Sequence, residues 1–177
     1  MSNIKLQQAN HNLLAPYADY LQYAVTLTIK TATTISTVLS NDYPFERAVY
    51  LTEDTLNSTI RYFTSNLTYY LYGNAARHKN KQHHAKPLLF FVVEGLNSYQ
   101  HTHLHLALGN VPDHKKDNID TIIQNAWAQC DFANTQIKVK PIYDAAGWTS
   151  YITKEVGFAN NDALYIAHCV IPKVYQN

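Results

Sequence analysis

The segment Leu88-Leu-Phe-Phe-Val-Val-Glu-Gly-Leu-Asn-Ser-Tyr-Gln-His-Thr-His-Leu-His-Leu-Ala-Leu-Gly109 contains two runs that read as strands. Leu88 to Val93 is continuously apolar, as expected of a strand covered on both faces. From His101 onward the pattern alternates. His101, His103 and His105 share one face of an extended chain, and Leu104, Leu106 and Leu108 share the other. A hairpin with residues 97–100 as its loop pairs 96 with 101 and sets Glu94 directly opposite His103, with Cβ atoms about 5 Å apart.

A strand that buries leucines behind a row of imidazoles is a candidate metal site. His103, His105 and Glu94 form a mixed nitrogen and oxygen donor set suited to Mg²⁺, Mn²⁺ or Zn²⁺ with positions left for a substrate. His101, at the loop end, is the alternative third ligand. The plain alternative is a polar, solvent-facing strand. Two other His-x-His families fit poorly. Residues 106–112 lack the glutamate of a cupin site, and neither His105-Leu-Ala nor His168-Cys-Val supplies the His-x-Thr/Ser of the two-histidine phosphoesterases.

Bulk properties narrow the field. With 177 residues, 46% hydrophobic, the chain is read as one ordered domain over residues 1–177. Its net charge of +1 does not match a strongly basic nucleic-acid binder, so a nucleic-acid partner must meet a local patch. Arg77, Lys79, Lys81 and Lys86, in the basic run 77–86, are the candidate patch; a merely solvated loop is the alternative. Cys130 and Cys169 have no metal-like spacing and suggest reduced thiols in an intracellular compartment. The first residues lack a signal-peptide core, and no apolar run approaches the roughly 20 residues that cross a bilayer. A soluble, cytoplasmic protein without a membrane partner is expected.

The remaining pattern completes an α+β fold. Residues 1–20 are weakly patterned. Tyr23, Val25, Leu27 and Ile29 alternate with Ala24, Thr26, Thr28 and Lys30, a half-buried strand with a threonine-rich face. Thr52 caps a helix whose apolar stripe is Leu56, Ile60, Phe63, Leu67 and Leu71, ending at Gly73. Ile119, Ile122, Ile123, Ala126, Trp127 and Cys130 mark a second helix. Ile137-Lys-Val-Lys140 alternates and runs into Pro141, as an edge strand does. A short helix around 145–156 and a last strand near 163–170 follow. Hairpin-connected strands with helices on one face predict a largely antiparallel sheet.

The short helix carries Gly147-Trp-Thr-Ser-Tyr-Ile-Thr-Lys154. Trp148, Ile152 and Val156 form an inward stripe, and Tyr151 and Lys154 share the adjoining flank. A phenol beside an ammonium can act as a covalent nucleophile with a charge partner, though tyrosine and lysine at this spacing are common in a chain with 14 tyrosines.

In order along the chain, these pieces resemble the HUH (histidine–hydrophobic–histidine) endonucleases, and among them the single-tyrosine rolling-circle replication initiators of phages and plasmids. Ala24-Val-Thr-Leu-Thr-Ile29 resembles the family's first motif. His103-Leu-His-Leu106 matches the second. Tyr151-Ile-Thr-Lys154 matches the third, with Gly147-Trp148 before it. The resemblance spans about residues 21–157. It implies a ferredoxin- or RRM-like sheet with flanking helices, a divalent ion (Mg²⁺ or Mn²⁺) on His103, His105 and Glu94, and Tyr151 as nucleophile assisted by Lys154. The implied substrate is single-stranded DNA at an origin hairpin, nicked through a 5′-phosphotyrosine link. Ile152 and Glu155 leave one tyrosine in the motif, and no Gly-x-x-x-x-Gly-Lys-[Ser/Thr] loop occurs, so a bare nuclease using a host helicase in a bacterial cell is expected. A single-tyrosine transposase of the same superfamily and a non-catalytic nucleic-acid-binding domain are the alternatives.

Overall fold

The computed structural model describes residues 3–37, 45–78, 84–96, 102–153 and 164–175. The histidine strand lies inside a four-stranded antiparallel sheet. Its strands are β1 (Leu21–Ile29), β4 (Leu88–Glu94), β5 (His103–Gly109) and β6 (Ala133–Pro141), in the order β4-β5-β1-β6. A separate hairpin pairs β2 (Ala32–Thr37) with β3 (Phe45–Tyr50). The helices are α1 (Asn3–Leu14), α2 (Glu53–Tyr72), α3 (Ile119–Ala128) and α4 (Ala145–Thr153). Mixed α+β with a central antiparallel sheet is therefore the fold class. Among the described residues no helix is long and apolar enough to cross a membrane.

Alternation divides the sheet into two unlike faces. Val25, Leu27, Ile29, Leu89, Phe91, Val93, Leu104, Leu106 and Leu108 project into the larger core, against α2 and α3. The five stripe residues of α2 are all buried there, and Phe63 meets Trp127 of α3 edge-on, with centroids 5.5 Å apart. Such an aromatic pair stabilises beyond the area it buries. The Thr52 hydroxyl accepts from the Thr55 amide while the Thr55 hydroxyl accepts from the Thr52 amide, so α2 starts on a reciprocal cap.

The opposite face has a core of its own. Leu14, Leu21, Leu88, Phe90, Val92, Ala107 and Leu164 form a smaller core, with Tyr17, Ile142 and Trp148 packed against it. Thus α1, the 3-10 turn Ala15–Tyr20 and α4 lie on this side, the C-terminal segment runs along β4 with residues in both cores, and the expectation of helices on one face alone is corrected. Two hydrophobic surfaces, one per sheet face, require two layers. Toward Glu94 and His103 the same face turns polar, with Thr26, Thr28 and His105 beside them.

Three further differences separate the structure from the sequence pattern. Residues 3–20 are helical, and the hairpin β2–β3 is an added element. The last strand is replaced by two isolated bridges, Leu164 to Val92 and Val170 to Leu89, separated by a 3-10 turn at Ile166–His168. This segment still shields the outer edge of β4, where a bare edge would invite pairing with another chain. β6 is an edge strand, as its proline suggested.

A candidate metal and nucleic-acid site on the histidine face of the sheet

The ladder sets the site. β4 and β5 pair with Glu94 opposite His103 and Val92 opposite His105, the register expected from sequence. On the other side of β5, β1 brings Thr28 opposite His103 and Thr26 opposite His105. The polar threonine face of β1 is thus the histidine face of the sheet.

Each imidazole is held by its threonine. The Thr26 hydroxyl lies 3.1 Å from Nδ1 of His105, and the Thr28 hydroxyl 3.4 Å from Nδ1 of His103. With Nδ1 engaged, Nε2 is the nitrogen each ring would offer to a metal; in His105 it faces Glu94. A hydroxyl can donate or accept, so it tolerates either tautomer of the ring. That matters for a metal ligand, whose second nitrogen carries the proton and needs an outer partner to fix the ring.

The carboxylate behaves differently from the expectation. Glu94 stands opposite His103, yet its Oε2 reaches diagonally to Nε2 of His105, at 2.9 Å. The pair is largely shielded, with side-chain exposures of 23% and 16%. The two imidazole rings are 6.4 Å apart between centroids. Among the described residues no three His, Cys, Asp or Glu side chains are arranged to hold a metal ion as they stand. The donor types nevertheless fit a divalent cation: two ring nitrogens on one strand and a carboxylate on the next, with anchored rings. Glu94 has to swing from His105 to a point shared with His103. His101 lies outside the described residues.

α4 stands over the β6 side of this face. Asp144 caps it, its Oδ1 accepting from the Gly147 amide at 2.8 Å. A Cβ at position 147 would fall 2.2 Å from Asp144 Oδ2, so the cap requires glycine there. One residue on, half-buried Trp148 walls a cavity of about 240 Å³ with Ala24, Thr26, His105, Lys138 and Lys140. Tyr151 is on the same helix, one turn beyond Trp148. Its side chain, and all of Lys154, lie outside the described part of the chain.

Of the basic run, the described cations Arg77 and Lys86 are not among the residues that line this place. Lys86 is exposed and two residues before Leu88, which starts β4 six residues from Glu94, roughly 20 Å away at strand rise. Arg77 is exposed with its guanidinium 5.2 Å from the centre of the Tyr69 ring. Lys79 and Lys81 lie outside the described residues. Among the described residues, the cations that line the site are Lys138 and Lys140. Sequence contained the signal for them: Ile137 and Val139 must face the core, which sends the two lysines to the histidine face.

Comparison with protein-family models, with curated proteins and with solved structures gave no match for this chain.

Proposed function

We propose that this chain is a metal-dependent endonuclease of the HUH type, which nicks single-stranded DNA with Tyr151 as nucleophile and can rejoin it. The observation that carries the reading is the gathering of His103, His105 and Glu94 on one face of the sheet, beside the helix that bears Tyr151. The anchoring of both rings by Thr26 and Thr28 adds support, because it explains why a threonine strand and a histidine strand lie side by side.

His103, His105 and Glu94 would hold Mg²⁺ or Mn²⁺, which when bound supplies positive charge to polarise the scissile phosphate. The Tyr151 hydroxyl loses its proton to solvent and its oxygen bonds to phosphorus. The bond to the 3′-oxygen of the preceding nucleotide breaks, and that oxygen takes up a proton. The products are a 5′-phosphotyrosine and a free 3′-hydroxyl. Attack by another 3′-hydroxyl reverses the step and rejoins the strand. Lys154 balances charge on the phenolate or the phosphate. Positioning and charge stabilisation provide the rate. The biological setting of this reading is rolling-circle initiation at an origin hairpin in a bacterial cytoplasm, with a host helicase; a single-tyrosine transposase would share the chemistry.

One observation favours a second reading, a nucleic-acid-binding domain without catalysis: Glu94 is engaged with His105 rather than aimed at a point shared with His103. Cleavage of labelled single-stranded DNA with Mn²⁺ separates the two. Nicking that disappears in His103→Ala/His105→Ala supports the nuclease. Binding without nicking supports the module.

A further inference from the structure

We propose that the cavity between β1, β6 and α4 is a subsite for one nucleotide of a DNA strand, with its phosphate on Lys138 and Lys140 and its base against Trp148. The choice of DNA as the ligand rests on the functional reading above; the cavity and its cations do not.

The sheet register places the parts. A straight row crosses four strands from Val92 through His105 and Thr26 to Lys138, and the next row runs from Phe90 through Ala107 and Ala24 to Lys140. With strands about 4.8 Å apart, the β6 backbone lies about 10 Å from that of β5, and a lysine stem shortens the gap to His105. An extended strand whose one phosphate meets the histidines can therefore lay a neighbouring phosphate on the lysines.

Lysines on an edge strand have a simpler use, keeping the edge from pairing with other chains. Three observations favour a ligand. Both lysines fall on the histidine face and line one cavity with His105 and Trp148. Both are exposed, and neither is paired with a carboxylate among the described residues. The cavity, about 240 Å³, is below the roughly 300–1,000 Å³ that takes a drug-sized molecule, so it suits a single ring system whose phosphate stays at the rim. Trp148 offers that ring a stacking partner that does not discriminate among bases.

The test is binding of an oligothymidylate eight nucleotides long to the full chain in EDTA, followed by tryptophan emission across a salt series. Trp127 is fully buried in the α3 core, so a change on binding reports Trp148. Lys138→Gln/Lys140→Gln should weaken binding at least tenfold and flatten the salt slope by about 0.7 for each phosphate the lysines no longer neutralise. Lys138→Arg/Lys140→Arg should restore both, since charge alone is required. Wild-type affinity and slope in the Gln variant, or an Arg variant as weak as the Gln variant, would overturn the subsite. Thymidine monophosphate binding as tightly as the octamer would also overturn it, assigning the cavity to a free nucleotide. Lysine-dependent binding without any nicking would keep the subsite and remove the nuclease.

Discussion

Glu94 and His105 are joined by a 2.9 Å hydrogen bond that crosses the β4–β5 ladder diagonally, although the residue opposite Glu94 is His103. As it stands the carboxylate is the partner of one imidazole; under the proposed function it would become a ligand beside two. Glu94→Ala should lower Mn²⁺ affinity by tenfold or more in calorimetric titration. The thermal midpoint measured in chelator should move much less, because the pair is not in either hydrophobic core. Equal affinity for Mn²⁺ would remove Glu94 from the ligand set and leave His101 as the candidate.

The threonine anchors predict a subtler effect. Thr26→Val keeps shape but removes the oxygen that orients His105. Loss of such an outer partner typically costs 10–100-fold in metal affinity. The expected result is weaker Mn²⁺ binding in a protein with native circular dichroism, and unchanged affinity would show that the ring needs no anchor.

Much of the fold was legible because its decisive elements carry strong periodic signals. The α2 stripe, the α3 stripe and the apolar β4 run each bury the residues their spacing selects. The hairpin register followed from loop length, and with it the place of Glu94. What was not legible depends on partners distant in sequence. α1 has a polar composition and no acid in its first turn, and the buried Leu14 at its end meets residues from β4 only in the fold. Ala32–Thr37 and Phe45–Tyr50 lack a tight-turn dipeptide and a clean alternation, so their pairing is a tertiary choice. The diagonal reach of Glu94 depends on rotamers, which periodicity does not encode.

Gly147 links sequence, cap and site. Gly147→Ala would push Asp144 off the helix end, where the lost cap costs about 1 kcal/mol. The larger effect should be on the site, because α4 carries Trp148 and Tyr151. Single-turnover nicking should slow by tenfold or more while the thermal midpoint falls by only a few degrees. A normal rate would mean that the start of α4 does not set the geometry.

Acid should loosen the C-terminal segment. His168 stacks on Tyr165 and its Nε2 lies 2.8 Å from Asn57 Oδ1 on α2, which ties the segment to the core. Burial, and then the charge of Arg61, hold its pKa below the usual 6.5. A lowered folded value means that the unfolded chain binds the proton more readily. This contribution to stability is present above pH 6.5 and fades as pH falls through the folded value. Denaturant midpoints measured from pH 7.5 to 5 should decline, and His168→Gln should decline less steeply. Parallel profiles would show that His168 is not the group responsible.

In the proposed function a phenol of this chain, and not water, attacks the DNA. Tyr151→Phe removes one oxygen and keeps the ring, so metal and DNA binding should persist while nicking and adduct vanish together. Lys154→Ala should slow the reaction without abolishing it. The direct measurement is mass spectrometry of the digested protein after incubation with single-stranded DNA and Mn²⁺. The expected result is a nucleotide covalently attached to the peptide that contains Trp148 and Tyr151, absent in Tyr151→Phe. Metal-dependent cleavage by Tyr151→Phe at the wild-type rate, with no adduct on either protein, would contradict it.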